Sequence, residues 1–271
     1  MNQLGTLTID GCQEQFEAAL PPAMPAIGTW RWAERSGGSL SEDEQRQLWW
    51  LTLRGELKHM AGRVRARFDR TQVDLNQVPV PDTALAEAAQ NLCERVSTPA
   101  SVRHCLRTYA WGALLGQRMQ LTFDPELLFV ASLLHDLGLT EHARPTLEVP
   151  CFAVSGARAA LEFLQSQGVD EERALRAAEC ICLHVNPYVS SQHHPEARLL
   201  SAGAALDAIG SRKHELRPSV RRAVLRRHPE SDFTNELGCC LGAQVGSWPS
   251  TRAGFLERRF DILKRIARNR L

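Results

Sequence analysis

The feature that most constrains the fold is an apolar run that carries clear start and stop signals for a helix. Asp124 is a suitable N-cap, and Pro125 then occupies the first helical position, where its missing N–H is not needed. Gly138 suits the left-handed residue that follows a helix end. These signals predict a helix over residues 125–137.

The same kind of boundary recurs further along the chain. Asp170 can cap a second helix, which must end before Asn186-Pro187 because a residue preceding proline avoids the helical region. A third helix begins near Pro195 and stops at Gly210. No strand-like alternation of comparable length lies between these segments, and no internal repeat is present. The sequence therefore predicts an all-α fold.

The N-terminal part of the chain has a different pattern. Residues 1–40 carry clusters of Pro, Gly and Ser without a sustained period, which predicts an extended or irregular arm. From Ser41 onward, apolar residues follow an N-cap serine and early acids at helical spacing, although Gly55 and Gly62 are positions where this helix could divide. The Pro-containing segment 71–83 has the composition of a linker.

Length and composition allow a substantial core. The chain has 271 residues, of which 44% are hydrophobic, and this is sufficient for one large domain or two small ones. We predict that residues 1–97 form a helical or irregular extension that packs on the core. Residues 98–271 then form the helical core and end in basic helices.

The formal net charge is +1, but the charge is unevenly distributed. Residues 1–210 carry more acidic than basic side chains, and residues 211–271 reverse this balance. A basic tail attracts anionic substrates or nucleic acid through its field. Its arginines lack the interleaved aromatic residues that stack on bases, so nucleic acid is a minor alternative.

Other features of the composition bear on location and partners. The chain has no run of 18 or more apolar residues and no secretion signal at its start, which favours a cytoplasmic protein without membrane association. The cysteines are scattered without a CxxC pair, and we expect them mostly as reduced core residues. A small molecule is the expected partner, and a homo-oligomer stays open.

Polar side chains occupy otherwise apolar stripes on several of the predicted helices. They are His104, the adjacent pair His135 and Asp136, His184 and Asp207. A single buried histidine is more often a satisfied core residue than a ligand. A set of such residues, each costly to bury alone, favours a common partner, and a divalent cation is the simplest one. Imidazoles and carboxylates suit zinc, iron or manganese.

This arrangement resembles the HD-domain metalloenzymes. Their pattern is a histidine on one helix, a His-Asp pair at the end of the next, and a distant aspartate, and here it is met by His104, by His135 and Asp136 in "LLHDLG", and by Asp207 in "GAALDAIG". The resemblance covers roughly residues 98–255. It implies a helical bundle in which these four residues hold one divalent metal.

Within that superfamily the chain is most similar to the cyanamide hydratase-like branch, on the stretches "LLHDLGLT", "CFAVSGARAALEFL", "AAECICLHVNP" and "SWPSTRAGFLERR". This branch implies water addition to a small nitrile-like substrate, whereas many other relatives are phosphohydrolases. Two departures matter. Phe152 replaces a histidine that two-metal members use, so a second metal is not expected. Ala153 and Ser155 stand where close relatives often carry carboxylates.

The resemblance and the residue chemistry together predict the roles in the site. Asp136 is expected to accept a proton from metal-bound water, and His184 to orient substrate or transfer a proton, because an imidazole is stable in both protonation states near neutral pH. Arg103 and Arg107 flank His104 and could bind an anionic substrate, although surface pairing explains them equally well. Glu148 lies in the loop after the His-Asp helix, where substrate contacts are common.

The leading hypothesis is a metal-dependent hydrolase or hydratase that acts on a small molecule, either a phosphate ester or a nitrile-like compound such as cyanamide. An HD-type iron oxygenase is the first alternative, but it normally requires the two-metal set. A metal-binding regulatory module without turnover is the second. It is favoured by the two missing carboxylates and by the basic tail.

Overall fold

The computed structural model describes residues 26–66, 71–230, 232–269 and 271. Within these segments the chain forms twelve α-helices and no strand, which confirms the predicted all-α class. The helices are α1 (Trp30–Ser36), α2 (Glu42–Ala66), α3 (Ala84–Val96), α4 (Pro99–Met119), α5 (Pro125–Leu134), α6 (Phe152–Ser166), α7 (Glu171–Leu183), α8 (Pro195–Ile209), α9 (Pro218–Arg227), α10 (Phe233–Ser247), α11 (Arg252–Phe260) and α12 (Ile262–Arg268). Short 3-10 turns lie at Leu75–Gln77, Leu137–Leu139, Glu141–Ala143 and Lys213–Glu215.

Most of the predicted helix boundaries are confirmed. The side chain of Asp124 accepts a hydrogen bond from the Leu127 amide at the start of α5. The side chain of Asp170 accepts one from the Arg173 amide at the start of α7. Gly210 ends α8 in the left-handed conformation, with φ 69°. Local capping chemistry therefore sets the ends of these core helices.

The end of α5 differs from the prediction. The helix stops at Leu134 rather than at residue 137, and the chain continues into the 3-10 turn Leu137–Leu139. Gly138 is not among the residues with positive φ. A Cβ at this position would lie 1.9 Å from the carbonyl oxygen of Phe152, so glycine is required by the close approach of α6 and not by a left-handed turn.

Helices α4 and α8 pack closely against each other. A Cβ on Gly203 would lie 2.2 Å from the carbonyl oxygen of Thr108, and a Cβ on Gly112 would lie 2.8 Å from that of Leu199. The two backbones therefore touch where these glycines face each other. This contact fixes the separation of the polar residues that lie one turn away on each helix.

The predicted irregular arm contains one helix that was not predicted. Thr29 caps α1, and the earlier part of the arm, residues 1–25, lies outside the described residues. The buried guanidinium of Arg252 lies over the Trp32 ring at 4.9 Å and donates to the carbonyl oxygen of Cys182 at 2.6 Å. This contact ties α1 to α7 and α11.

Helix α2 is continuous, so Gly55 and Gly62 do not divide it. Its first turn contains a capping box, in which the Glu44 amide donates to the Ser41 hydroxyl and the Ser41 amide donates to the Glu44 carboxylate. Seven cysteines lie in the described segments, all are free, and five of them are buried, as expected. None of the described helices has the length and apolar character needed to cross a bilayer.

Candidate metal centre

Three of the predicted ligands converge at one point of the core. His104 projects from α4, while His135 and Asp136 directly follow the last turn of α5. The Nε2 atoms of the two histidines are 3.2 Å apart. Asp136 Oδ2 lies 3.5 Å from His104 Nε2 and 3.2 Å from His135 Nε2. Both imidazoles are buried, and the three side chains form a cluster that could hold a metal ion.

Hydrogen bonds on the far side of each ring determine which nitrogen carries the proton. His104 Nδ1 lies 2.7 Å from Asp207 Oδ2, and a carboxylate only accepts, so this nitrogen is the donor. His135 Nδ1 lies 2.8 Å from the carbonyl oxygen of Ser132 and is a donor for the same reason. In the neutral rings the two Nε2 atoms therefore direct lone pairs at each other and at Asp136. This arrangement is repulsive unless a cation or a proton lies between them.

The spacing of these atoms suits a small divalent cation. Tetrahedral ligands with bonds of about 2.0–2.1 Å are separated from one another by about 3.3–3.4 Å, and the three distances here are 3.2, 3.2 and 3.5 Å. Three protein ligands leave a further position for water or substrate, as in catalytic zinc sites. The donor set of two imidazoles and one carboxylate therefore fits the predicted divalent transition metal without selecting one.

Asp207 lies behind this triad rather than in it. Its Oδ2 accepts hydrogen bonds from His104 Nδ1 and Arg107 Nη2 at 2.7 and 2.8 Å. Its Oδ1 accepts from Arg107 Nε and Trp111 Nε1 at 2.8 and 2.7 Å. Because both oxygens are engaged by donors of this chain, Asp207 orients His104 in this structure. Its role as a fourth ligand stays a prediction.

His184, predicted as catalytic, faces the triad from the end of α7. Its Nδ1 lies 2.6 Å from the carbonyl oxygen of Ile181, so the lone pair is on Nε2, which lies 3.7 Å from Asp136 Oδ1. Burial, together with the neighbouring His135, lowers the pKa of His184 to about 3, and the ring is therefore neutral at pH 7. A water or a substrate N–H or O–H that lies beside these two acceptors can bond to both.

The electrostatics of the site favour a cation. Burial alone would raise the pKa of Asp136, but the imidazoles around it, His135 above all, hold that pKa well below its usual range. Asp207 behaves in the same way, because His104 and Arg107 outweigh the effect of burial and lower its pKa to about 2. Both carboxylates are therefore ionised at neutral pH. The carboxylate that faces the open side of the triad is that of Asp136.

This geometry can be compared with known protein families. Residues 102–209 match the family model of the HD domain. The matched segment begins just before His104 and ends just after Asp207, so it contains every predicted ligand. The match supports a place in the HD-domain superfamily, and together with the triad it indicates a metal-dependent hydrolase type of activity. No curated protein matches the chain.

The triad opens into a cavity of about 1160 Å³. The part of the cavity nearest Asp136 is lined by the imidazoles of His104, His135 and His184 and by the ring of Phe152. The Phe152 ring lies 5.7 Å from that of His184. Seven Lys and Arg side chains line the cavity against three carboxylates. The cationic residues are Lys58, Arg63, Arg198, Arg212, Lys213, Arg265 and Arg268. The space in front of the triad is therefore both large and electropositive.

The three residues predicted to bind substrate do not line this cavity. Arg107 is fully buried and bonded to Asp207, because a residue three positions after His104 lies on the same inward face of α4. In this structure Arg107 therefore supports the candidate metal site through Asp207, and its contact with substrate stays a prediction. Arg103 is half-buried and Glu148 is exposed, and this placement gives no support to a role in substrate binding.

Some side chains that shape the site were not predicted to do so. Phe233, at the start of α10, stacks on the His104 ring at a centroid distance of 3.9 Å. Trp111 is a second such residue, because its indole N–H completes the hydrogen bonds of Asp207. Its position seven residues after His104 was the available signal, since it places both residues on one face of α4. The sequence carries no comparable signal for Phe233.

Proposed function

We propose that this protein is a metal-dependent hydrolase that acts on an anionic small molecule, with a phosphate ester as the substrate class. The observation that carries the proposal is the convergence of His104 Nε2, His135 Nε2 and Asp136 Oδ2 within 3.2–3.5 Å of one another at the edge of an electropositive cavity. The match to the HD domain supports the same reaction type.

A divalent transition metal bound by these three side chains would act as a Lewis acid and would bring the pKa of a coordinated water to near 7. Two of the ligands are held rigidly by the chain itself. Asp207 orients His104, and the carbonyl oxygen of Ser132 orients His135, so both rings present the correct nitrogen before any ligand binds. The side chains thus need little rearrangement on metal binding.

His184 and Asp136 are the groups that can accept the proton of the attacking water. Neutral His184 presents Nε2, and Asp136 presents Oδ1 as well as its triad oxygen. A nucleophilic water that donates a hydrogen bond to one of them is oriented for attack, and the same group can then accept its proton as a general base. The ring of Phe152 closes one side of this space and keeps it partly apolar.

The cavity supports an anionic and fairly large substrate. Arg198 on α8, Lys58 on α2 and Arg268 on α12 all line it, and guanidinium and ammonium groups bind phosphate oxygens well. A volume of about 1160 Å³ is at the upper end for small-molecule sites. A neutral nitrile of three heavy atoms would use neither the charge nor the volume. We therefore rank a phosphate ester above a nitrile.

The decisive experiment combines metal analysis with a substrate panel. The full chain is purified, its metal content is measured, and the chain is then assayed for phosphate release from monoesters, diesters and nucleotides, and for urea formation from cyanamide. We expect about one divalent metal per chain and metal-dependent phosphate release. Asp136→Asn, which removes the charge of the triad carboxylate, should abolish both. Glu162→Gln, an exposed site outside the cavity, is the matched control and should change neither.

Different outcomes would contradict different parts of the proposal. A chain that neither contains nor takes up a transition metal would remove its basis. Urea formation without phosphate release would place the substrate in the nitrile class, and oxygen consumption with two irons per chain would point to an oxygenase. A metal that binds without any turnover would make the site regulatory.

A further inference from the structure

The long helix α2 carries a row of apolar side chains on the outside of the molecule. Trp50 is 64% exposed, Leu57 and Met60 are each 53% exposed, and Val64 is 59% exposed. Leu53 lies between them on the same face and is half-buried. We call these five side chains the α2 stripe. An exposed row of large apolar residues is unfavourable in water unless another surface covers it.

The inward side of α2 packs leucine on the core near the start of the helix and is formed by polar and small residues further along. It carries Leu48 and Thr52, which are buried, followed by Gly55, His59 and Gly62, which face the cavity. From Thr52 onward, this is the reverse of an ordinary amphipathic surface helix, whose apolar face packs on the core of its own domain. The packing of α2 on its own subunit therefore leaves the α2 stripe without an apolar partner among the described residues.

The spacing of the α2 stripe identifies the kind of partner it suits. Its members follow one another at intervals of three, four, three and four residues, which is the a and d pattern of a coiled-coil seam. Such a seam packs knobs into holes against a helix with the same repeat. A small ligand would not require this regular spacing along four helical turns.

We propose that α2 pairs in the antiparallel sense with α2 of a second copy of this chain. In the register that we infer, Leu57 packs against the partner's Met60, and Leu53 packs against the partner's Val64. The two-fold axis repeats both contacts on the other half of the seam. Each copy thus contributes the same patch, as an isologous dimer requires.

The charges that flank the α2 stripe agree with this direction. Glu56 and Arg63 occupy equivalent positions between the seam and the cavity edge that both also line, and the antiparallel register places each Glu56 opposite the partner's Arg63. Glu56 also contacts Arg265 of its own chain at 2.7 Å, and this partly exposed pair would be shared with the partner's Arg63 in the dimer. In a parallel, in-register pair, Glu56 would instead face the residue five positions further on, which is alanine in this sequence. The antiparallel arrangement therefore forms two interchain ion pairs that the parallel one lacks.

The area of the α2 stripe is sufficient for a specific interface. From the exposed fractions of its side chains, the patch presents on the order of 500 Å² per copy. A dimer that covers all of it, including Trp50 at the end of the seam, would bury about 1,000 Å², the lower limit expected of a biological contact. A patch of this size on a monomer is at the upper end of what soluble proteins expose. Dimerisation would also hold α2 in place as the outer wall of the cavity.

The first experiment measures the mass of the full chain in solution by light scattering and sedimentation. We expect a dimer for the wild type and a monomer for Leu57→Glu, with the dimer dissociation constant raised about 30-fold or more. Leu147→Glu is the matched control, because Leu147 is 89% exposed on a loop, and its mass should equal that of the wild type. A monomeric wild type, or a dimer that persists in Leu57→Glu, would overturn the proposal.

The second experiment tests the register by charge reversal. Glu56→Arg and Arg63→Glu should each weaken the dimer, and the double variant should restore it, because the pair is then reversed on both sides of the seam. Circular dichroism checks that each variant is folded. Failure of the double variant to restore the dimer would contradict the antiparallel register. These readouts need no catalysis, so they are independent of the proposed hydrolase activity.

Discussion

The floor of the cavity, formed by α4, α5 and α8, buries charged side chains, whereas its outer wall, formed by α2, exposes apolar ones. On the floor, the side chains of Arg107 and Asp207 are about 1% exposed and form a salt bridge with two hydrogen bonds. On the wall, Trp50 and Leu57 are more than half exposed. Both regions depart from the usual distribution of residues. The departure on the floor indicates chemistry, and the one on the wall indicates an interface.

The largest expected effect is on the floor. Arg107→Leu leaves the carboxylate of Asp207 buried without its main counter-charge, and we expect the free energy of unfolding to fall by about 3–5 kcal/mol. Metal affinity should fall about 10- to 100-fold, because His104 loses its fixed orientation. Urea unfolding and metal titration measure the two effects.

A matched control for this substitution lies at a partly exposed ion pair. Arg173 contacts Asp124 with both side chains about one quarter exposed, so Arg173→Leu should cost about 1 kcal/mol or less and should not change metal affinity. Equal losses for the two variants would mean that the buried pair on the floor has no special role.

A smaller loss is expected from the helix contact that sets the width of the floor. Gly203→Ala would place a Cβ 2.2 Å from a backbone oxygen of α4, which cannot move independently, so α8 must shift. We expect a loss of about 2–3 kcal/mol in the free energy of unfolding and weaker metal binding. Gly238→Ala is the control, because no atom lies within 4 Å of a Cβ there. A Gly203→Ala variant with unchanged stability and metal binding would contradict the close contact of α4 and α8.

The floor also shows which features of the fold could be predicted from sequence. The caps at Asp124 and Asp170 act within one turn of the chain, so local pattern was sufficient to find them. Gly138 was predicted to end the helix, but glycine is required there because the backbone of Phe152 lies too close for a side chain. The residues of the triad could be identified from the sequence. The distance between α4 and α8, which allows Asp207 to bond to His104, could not be predicted from it.

The wall was the less predictable of the two regions. The helical period over α2 is visible in the sequence, but a period does not state which face meets the core. The ordinary expectation places apolar residues inward, and α2 reverses it because its inner face lines a polar cavity. Helix α1 was missed for another reason: with seven residues from Trp30 to Ser36, it is too short to show a period.

The cavity itself provides a test in which stability should not change. Arg198→Gln removes one guanidinium from the lining, and we expect KM for an anionic substrate to rise about 10-fold, with kcat and metal content nearly unchanged. Arg144→Gln is the control, because Arg144 is exposed outside the cavity. An unchanged KM in the Arg198 variant would argue that substrate does not reach this part of the space.

The smallest effect tests the orientation of the wall directly. A Cβ on Gly62 would make only ordinary contacts at 3.6 Å, so Gly62→Ala should stabilise α2 by about 0.5–1 kcal/mol through helix propensity. A Cβ on Gly55 would lie 2.9 Å from the carbonyl oxygen of Pro187, so Gly55→Ala should gain less or lose. Urea unfolding of the two variants measures the difference. Equal gains would mean that both glycines face solvent, and the α2 stripe would then have to face the core.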